Sequence, residues 1–238
     1  RILNGTNDRF LNLSLFIADP TIPQIDPVTR QANPGFEKEV KMVPAAPNPA
    51  YPTWAADGRD GGAPDPALVG PDIIQIGNEG GILPHVAVIK PHPATYEYNR
   101  RSVTVLNVLE HGLYLGPGER ADAVIDFSQY AGKTLILYND GPAPVPAFDP
   151  RNDYYTGDPD LTGMGGAHST LPGYGPNTRT MMQIKVAALP ANAPAPAPFD
   201  LAALQTALPI AYGQSQDRPA IPEVAYNDAF GTRDIDNH

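Results

Sequence analysis

The chain has 238 residues, of which 29 are proline, 22 are glycine and 18% are charged, a composition typical of short strands joined by many turns. Its formal net charge of −10 and sequence pI near 4.8 argue against nucleic acid as a partner. The absence of cysteine excludes disulfides, thiol nucleophiles and any copper centre that needs a thiolate. No apolar run in the sequence approaches the length of a membrane span.

The N-terminal segment predicts a strand, and a long irregular excursion follows it. Aliphatic residues recur at every second position, the period of a strand with one buried face: Leu11, Leu13, Leu15 and Ile17 alternate with Asn12, Ser14 and Phe16. Residues 5–8 have the turn chemistry of a hairpin or a tight corner. Residues 20–72 carry many prolines, which predicts a mostly irregular insertion on the surface.

The rest of the chain predicts further short strands and one helix. The strands are expected at 73–77, 86–89, 102–115, 121–127, 135–138 and 181–186. Such a series favours an all-β Greek-key sandwich over a parallel α/β fold. We therefore expect one domain at 1–188. Residues 189–238 are expected to form a proline-rich linker, a short helix at 200–208 and a lead-in to a following domain.

Five segments, read in chain order, resemble one family. They are RILNGTNDRFLNLSL (1–15), IQIGNEGGILP (74–84), LGPGERADAVIDFS (115–128), LYNDGPAP (137–144) and TRTMMQIKV (178–186). Together they are similar to the second cupredoxin domain of multicopper oxidases. The likeness is to the branch containing spore-coat laccase, bilirubin oxidase and phenoxazinone synthase. It implies a cupredoxin-like, plastocyanin-like β-sandwich, with its weakest match in the insertion at 20–72.

The resemblance also implies a function for a longer parent enzyme. Such oxidases take electrons from a substrate at a mononuclear blue copper and pass them to a trinuclear copper cluster that reduces dioxygen to water. The family carries its copper ligands in the first and last domains, as His-x-His pairs and a His-Cys-His string, and this chain contains neither. We therefore expect a copper-free spacer, inactive by itself, whose partners are the flanking cupredoxin domains and which helps line the interdomain or substrate cleft.

Several properties of the parent follow only from the family likeness. Its substrates would be phenols, bilins, aminophenols or metal ions such as Mn(II) or Cu(I), and no residue here selects among them. Its location would be periplasmic, secreted or at the cell surface. Two alternatives from other classes are a non-catalytic subunit and a free-standing binding module, for example for carbohydrate, with Trp54 and the tyrosines as stacking platforms.

The candidate site residues fall into a structural corner, one histidine and one acidic string. The corner residues are expected to hold a sharp turn and its backbone rather than to catalyse: Asn4, Gly116, Gly118, Glu119 and Arg120. His85 follows GGILP, and the resemblance implies that this loop lies towards the third domain. The acidic string, whose spacing does not match an EF-hand, is expected to be a solvated loop, with a calcium site as the alternative: Asp149, Asp153, Asp158 and Asp160.

Overall fold

The structure is a computed structural model that describes residues 1–26, 28–95, 110–141, 156–174 and 177–215. The strands in chain order are β1 (Ile2–Leu3), β2 (Leu11–Ile17), β3 (Pro23–Ile25), β4 (Ala32–Glu37), β5 (Met42–Val43), β6 (Ala63–Pro64), β7 (Ile73–Asn78), β8 (Gly81–Ile89), β9 (Leu113–Leu115), β10 (Arg120–Val124), β11 (Thr134–Asn139) and β12 (Thr180–Lys185). One helix, α1 (Leu201–Ser215), follows them. Most of the predicted strands are therefore confirmed, while positions 102–109 of the strand predicted at 102–115 lie outside the described residues.

Two four-stranded sheets form the body of the molecule. Sheet I has the order β1-β10-β7-β8 and sheet II the order β12-β11-β2-β9, and every pairing within them is antiparallel. The turn at residues 5–8 carries the chain from sheet I to sheet II, so it is a corner and not a hairpin. The prediction of an all-β sandwich is confirmed at this level.

The core lies between the two sheets. Its buried members come from both layers, with Ile73 and Ala121 from sheet I facing Leu11, Leu13, Leu15, Leu113, Leu115 and Leu137 from sheet II. Because side chains alternate along a strand, Leu11, Leu13 and Leu15 of β2 reach this layer, as the sequence pattern predicts, whereas Ile17 at the end of the strand does not join the cluster.

The prediction that β2 has only one buried face is wrong. Phe16 packs edge-to-face on Tyr138 with ring centroids 6.1 Å apart, and both are buried in a second cluster with Ala18, Val40 and Ile136. Asn12 and Ser14, on the same outer face, are buried as well. A chain segment distant in sequence covers this face, which the local alternation of residues cannot reveal.

The segment at 20–72 covers the Phe16 end of this face, and it is more ordered than predicted. It contains two small antiparallel sheets, β3–β4 and β5–β6. Val40, Met42 and Trp54 pack onto the outer face of sheet II. The insertion therefore does not merely cross the surface, because it buries Phe16 of β2 and Tyr138 of β11 and closes a second hydrophobic cluster.

The helix is longer than the predicted 200–208, since it runs on to Ser215 with Pro209 inside it. Asp200 caps it, accepting from Ala203 N at 2.9 Å through its carboxylate. The helix packs against the edge strand β8, and Leu208 is buried there. This part of the expected linker therefore lies on the sandwich. Within the described ranges no helix has both the length and the apolar character needed to cross a membrane.

Candidate functional site

The corner residues predicted from sequence come together between β1 and β10. Asn4 is completely buried, and its Nδ2 donates to Arg9 O and Leu115 O, both at 2.9 Å. Its backbone N–H donates to Glu119 O at 3.0 Å, and Gly118 N donates to Asn4 O at 2.8 Å. One amide thus joins the segments 1–15 and 115–128 at the point where the chain changes sheets.

The other corner residues also serve the backbone. Gly118 has φ +84°, a left-handed conformation that favours glycine. The Glu119 carboxylate accepts from Gly116 N, while Arg120 Nη1 donates to Gly118 O at 3.2 Å. The backbone N–H of Arg120 donates to the carboxylate of Glu79, a bond that is the largest cause holding the pKa of Glu79 below its ordinary value. Glu119 and Arg120 therefore act as separate backbone clamps.

A buried ion-pair cluster lies at the end of β11, and the sequence analysis did not predict it. Asp140 is 2% exposed and accepts from Arg59 Nη1 at 3.1 Å, Arg179 Nη1 at 3.4 Å and Ala94 N at 2.7 Å. Arg59 also donates to Ala94 O at 2.6 Å and pairs with both oxygens of Asp57 at 2.8 and 2.6 Å. The cluster connects the insertion to the ends of β8, β11 and the start of β12.

Burial dominates the electrostatics of this cluster. It raises the pKa of Asp140, and the guanidinium groups of Arg59 and Arg179 together with the Ala94 N–H oppose that rise. The formal charges of Asp57, Asp140, Arg59 and Arg179 cancel when these four groups are ionised. The arrangement positions chain segments, and a removed partner would leave a buried charge uncompensated.

Two buried asparagine side chains add to this network. Asn12 Nδ2 donates to His92 O at 2.9 Å, and its Oδ1 accepts from Gly112 N at 2.8 Å. Asn139 Oδ1 accepts from Asn12 N and Gly141 N, each at 2.9 Å. Asn12 thereby holds the segments before and after positions 96–109 beside β2. The polar side chains of Asn12 on β2 and Asn139 on β11 thus fix the neighbouring loops.

The histidines do not match the donor set of a copper centre. A blue copper requires a thiolate with two imidazoles, and the chain has no cysteine. His85 is exposed on β8, His92 and His111 bond the carbonyl oxygens of Pro93 and Gly112, and His168 lies 3.3 Å from Asp160. His238 lies outside the described residues. Among the side chains described, no three of His, Asp or Glu form a group able to hold a metal ion.

The acidic string is only partly within the structure. Asp149 and Asp153 lie outside the described residues, whereas Asp158 is buried and Asp160 is exposed. Asp160 Oδ1 accepts from both the hydroxyl and the N–H of Thr162, and these bonds hold the pKa of Asp160 below its ordinary value. Its oxygens therefore already have protein partners, which weakens the case for this residue as a calcium ligand.

Trp54 lies in the second hydrophobic cluster. Its Nε1 donates to Pro64 O at 2.8 Å, and its ring meets His92 edge-on with centroids 5.0 Å apart. A half-buried tryptophan with these partners packs the insertion onto the sandwich, so it makes a poor stacking platform for a sugar. This geometry counts against the carbohydrate-binding alternative.

Comparison of the sequence with protein-family models and with curated proteins finds no match in either set.

Proposed function

We propose that this chain is the middle, copper-free domain of a multicopper oxidase, serving as a spacer between copper-bearing cupredoxin domains. The observation that carries the proposal is the corner at Asn4. There two of the five resembling segments, 1–15 and 115–128, are bonded to one another through one buried amide inside a two-sheet sandwich. Sequence motifs that resemble one family and also meet in one structural unit arise by chance less often than sequence matches that do not meet in the fold.

The connectivity of the sheets supports a cupredoxin-like Greek key. The chain visits sheet I with β1, sheet II with β2, sheet I with the β7–β8 hairpin, sheet II with β9, sheet I with β10 and sheet II with β11–β12. Repeated crossing between layers is characteristic of Greek-key sandwiches. In the proposed parent enzyme the ends of these strands would present loops to the neighbouring domains.

The proposed role assigns the copper chemistry to the flanking domains. The residues of this chain do not fit a blue copper or a trinuclear cluster, so the chain takes no part in electron transfer under this proposal. Its contribution is to hold two neighbours at a fixed separation and to line the cleft between them. Export to the periplasm, the exterior or the cell surface belongs to the same proposal.

The test uses the coding sequence and the purified chain. The reading frame on the two sides should encode His-x-His pairs and a His-Cys-His string. The 238-residue chain incubated with Cu(II) should show no thiolate-to-copper absorption band and consume no oxygen with a phenol or an aminophenol. Flanking sequence without those histidines, or oxygen consumption that follows the purified chain, would refute the proposal.

A further inference from the structure

A cavity lies at one end of sheet II, where β2 and β12 end and β11 begins. The antiparallel register brings these three strand ends together. β4 closes one side, since Lys185 Nζ donates to Gly35 O at 3.0 Å. Residues 142–155 and 175–176 adjoin the other ends of β11 and β12 in sequence. We call this space the lysine cavity, because Lys133 and Lys185 line it.

The lysine cavity has the size of a small-molecule site. Its volume is about 600 Å³, within the range of about 300–1,000 Å³ found for ligand pockets. Much of its wall is apolar, from Ile17, Ala18, Pro20 and Leu68. Ligand pockets are mostly apolar and carry a few polar groups that fix the orientation of the ligand. The nature of those polar groups therefore indicates which ligand would fit.

Two ammonium groups supply the polar part of the wall. Lys133 and Lys185 are two of the five lysines in the chain. The Nζ atom of Lys185 lies 4.4 Å from the centroid of the Phe36 ring, and that of Lys133 lies 5.8 Å from the centroid of the Tyr130 ring. An ammonium group has three hydrogen-bond donors, and Lys185 uses one of them on Gly35 O. Donors thus remain for a ligand in the cavity.

Glu37 is the one carboxylate among the described residues that line the cavity, and the chain itself occupies both of its oxygens. Oε1 accepts from Gly35 N at 3.1 Å, and Oε2 accepts from Thr134 Oγ1 at 3.4 Å. The lining side chains therefore carry a formal charge of +1, in a chain whose net charge is −10. Because a cleft concentrates charge opposite to its own, this cavity favours an anion with a single negative charge.

A second cavity of similar volume, about 540 Å³, provides a contrast. Lys41 and Asp19 both line it, and Lys41 Nζ pairs with Asp65 at 2.8 Å. The cation of that cavity is therefore already neutralised. In the part of the chain that the structure describes, neither Lys133 nor Lys185 pairs with a carboxylate. The positive charge of the lysine cavity is thus available to a ligand.

We propose that the lysine cavity binds an amphipathic organic monocarboxylate. The carboxylate of the ligand bonds the ammonium groups of Lys133 and Lys185, and such charge-assisted hydrogen bonds are the strong ones in proteins. The apolar body of the ligand packs against Ile17, Ala18 and Leu68. The inference is independent of the copper-oxidase proposal, because it involves neither copper nor a flanking domain.

The experiment titrates the 238-residue chain with 3-phenylpropionate, followed by calorimetry and by amide NMR. We expect a Kd of about 0.1–1 mM. The largest amide shifts should occur at Gly35, Gly132 and Thr134, which line the cavity. Two further compounds keep the same apolar body and change only the head group. 3-Phenylpropan-1-ol should bind about tenfold more weakly, and 3-phenylpropylamine, which is cationic, more weakly still.

Three variants test the role of the lysines. Lys133→Gln and Lys185→Gln should each weaken binding of the acid about threefold and reduce its advantage over the alcohol. Lys90→Gln is the matched control, because it removes the same charge from an exposed lysine just after β8, outside the cavity. If Lys185→Gln loosens β4 by losing its bond to Gly35 O, its Tm falls and Lys133→Gln carries the test, since no hydrogen bond of Lys133 Nζ occurs within the described ranges.

Four results would overturn the proposal. They are no binding of 3-phenylpropionate up to about 10 mM, equal affinity for the acid and the alcohol, amide shifts centred away from the lysine cavity, or an equal loss of affinity in Lys90→Gln and Lys133→Gln. Equal affinity for the two compounds would identify an apolar surface that does not select charge. None of these measurements involves copper or oxygen, so a failure here leaves the proposed function to its own test.

Discussion

Asp140→Asn should destabilise the chain strongly, because it removes a buried carboxylate shared by the buried Arg179 and the partly buried Arg59. The amide can still accept from Ala94 N, but its NH₂ group would face a guanidinium that also donates. Arg59 keeps its bidentate pair with Asp57, at 2.8 and 2.6 Å. Arg179 loses its ionic contact with Asp140, at 3.4 Å. The substitution therefore leaves a buried cation with reduced compensation.

The loss of unfolding free energy in Asp140→Asn depends on which charges stay paired. Removing one partner of a buried ion pair costs roughly 3–5 kcal/mol. Since Asp57 continues to neutralise Arg59, we expect the lower end, about 3 kcal/mol of unfolding free energy. Burial raises the pKa of Asp140, which means that the pair itself adds little net stability, yet breaking it remains costly. The same reasoning predicts that removing Arg179 is also destabilising.

The assay is urea unfolding followed by the fluorescence of Trp54, the only tryptophan in the chain. Its ring contacts His92, near the cluster, so it reports on the region under test. The matched control is Asp122→Asn, which removes the same charge from the pair with Arg1 at 2.6 and 2.7 Å. Because that pair lies at the surface, its loss should shift the midpoint far less. Equal shifts in the two variants, or a loss below about 1 kcal/mol in Asp140→Asn, would refute the reasoning.

Two further predictions concern the corner and acid stability. Asn4→Asp replaces a donor to Arg9 O and Leu115 O by a buried charge. It should lower the free energy of unfolding in urea by about 3 kcal/mol or more. A decrease under about 1 kcal/mol would contradict the role of Asn4 in holding the corner backbone. The pKa of Asp126 is lowered chiefly by the backbone N–H of Ser128. Its stabilisation is therefore present above the ordinary aspartate pKa, near 3.9, and lost as pH falls through the depressed value. The thermal unfolding midpoint of the wild-type chain should drop in this acid range, and that of Asp126→Asn should drop less steeply. Identical pH profiles for the two proteins would show that Asp126 does not contribute to the acid sensitivity.

The strands could be predicted from sequence wherever one segment contains the whole signal. Alternating residues and flanking turns placed β7, β10, β11 and β12 within a few positions of their observed ends. β2 shows the limit of that reasoning. Its outer face looked half polar, yet Phe16 packs on Tyr138 and Asn12 bonds His92 O and Gly112 N. Burial of this face depends on the insertion at Phe16 and on the segments around His92 and Gly112 at Asn12, and none of these segments carries a regular pattern of its own.

The candidate site residues likewise divide into those that local sequence predicts and those that only tertiary contacts bring together. The corner was predictable because Gly116 to Arg120 is a local turn and Asn4 is a residue type that binds backbone. The ion-pair cluster was not, since Asp140 lies 81 positions from Arg59 and 39 from Arg179. No spacing rule links residues so far apart. A buried carboxylate such as Glu39 is equally invisible, because its burial is decided by tertiary contacts.

The buried polar residues of this chain join segments that are distant in sequence. Asn4 fixes the crossing between sheets, Asn12 holds two loop segments beside β2, and Asp140 locks the insertion to the ends of three strands. Buried ion pairs add little net stability. Their remaining role is to favour one arrangement of the chain segments over other arrangements. A spacer that must hold two catalytic neighbours at a fixed separation needs that property. Under the proposed function, variants of Asp140 would therefore lower parent-enzyme activity by misplacing domains, without changing any copper ligand.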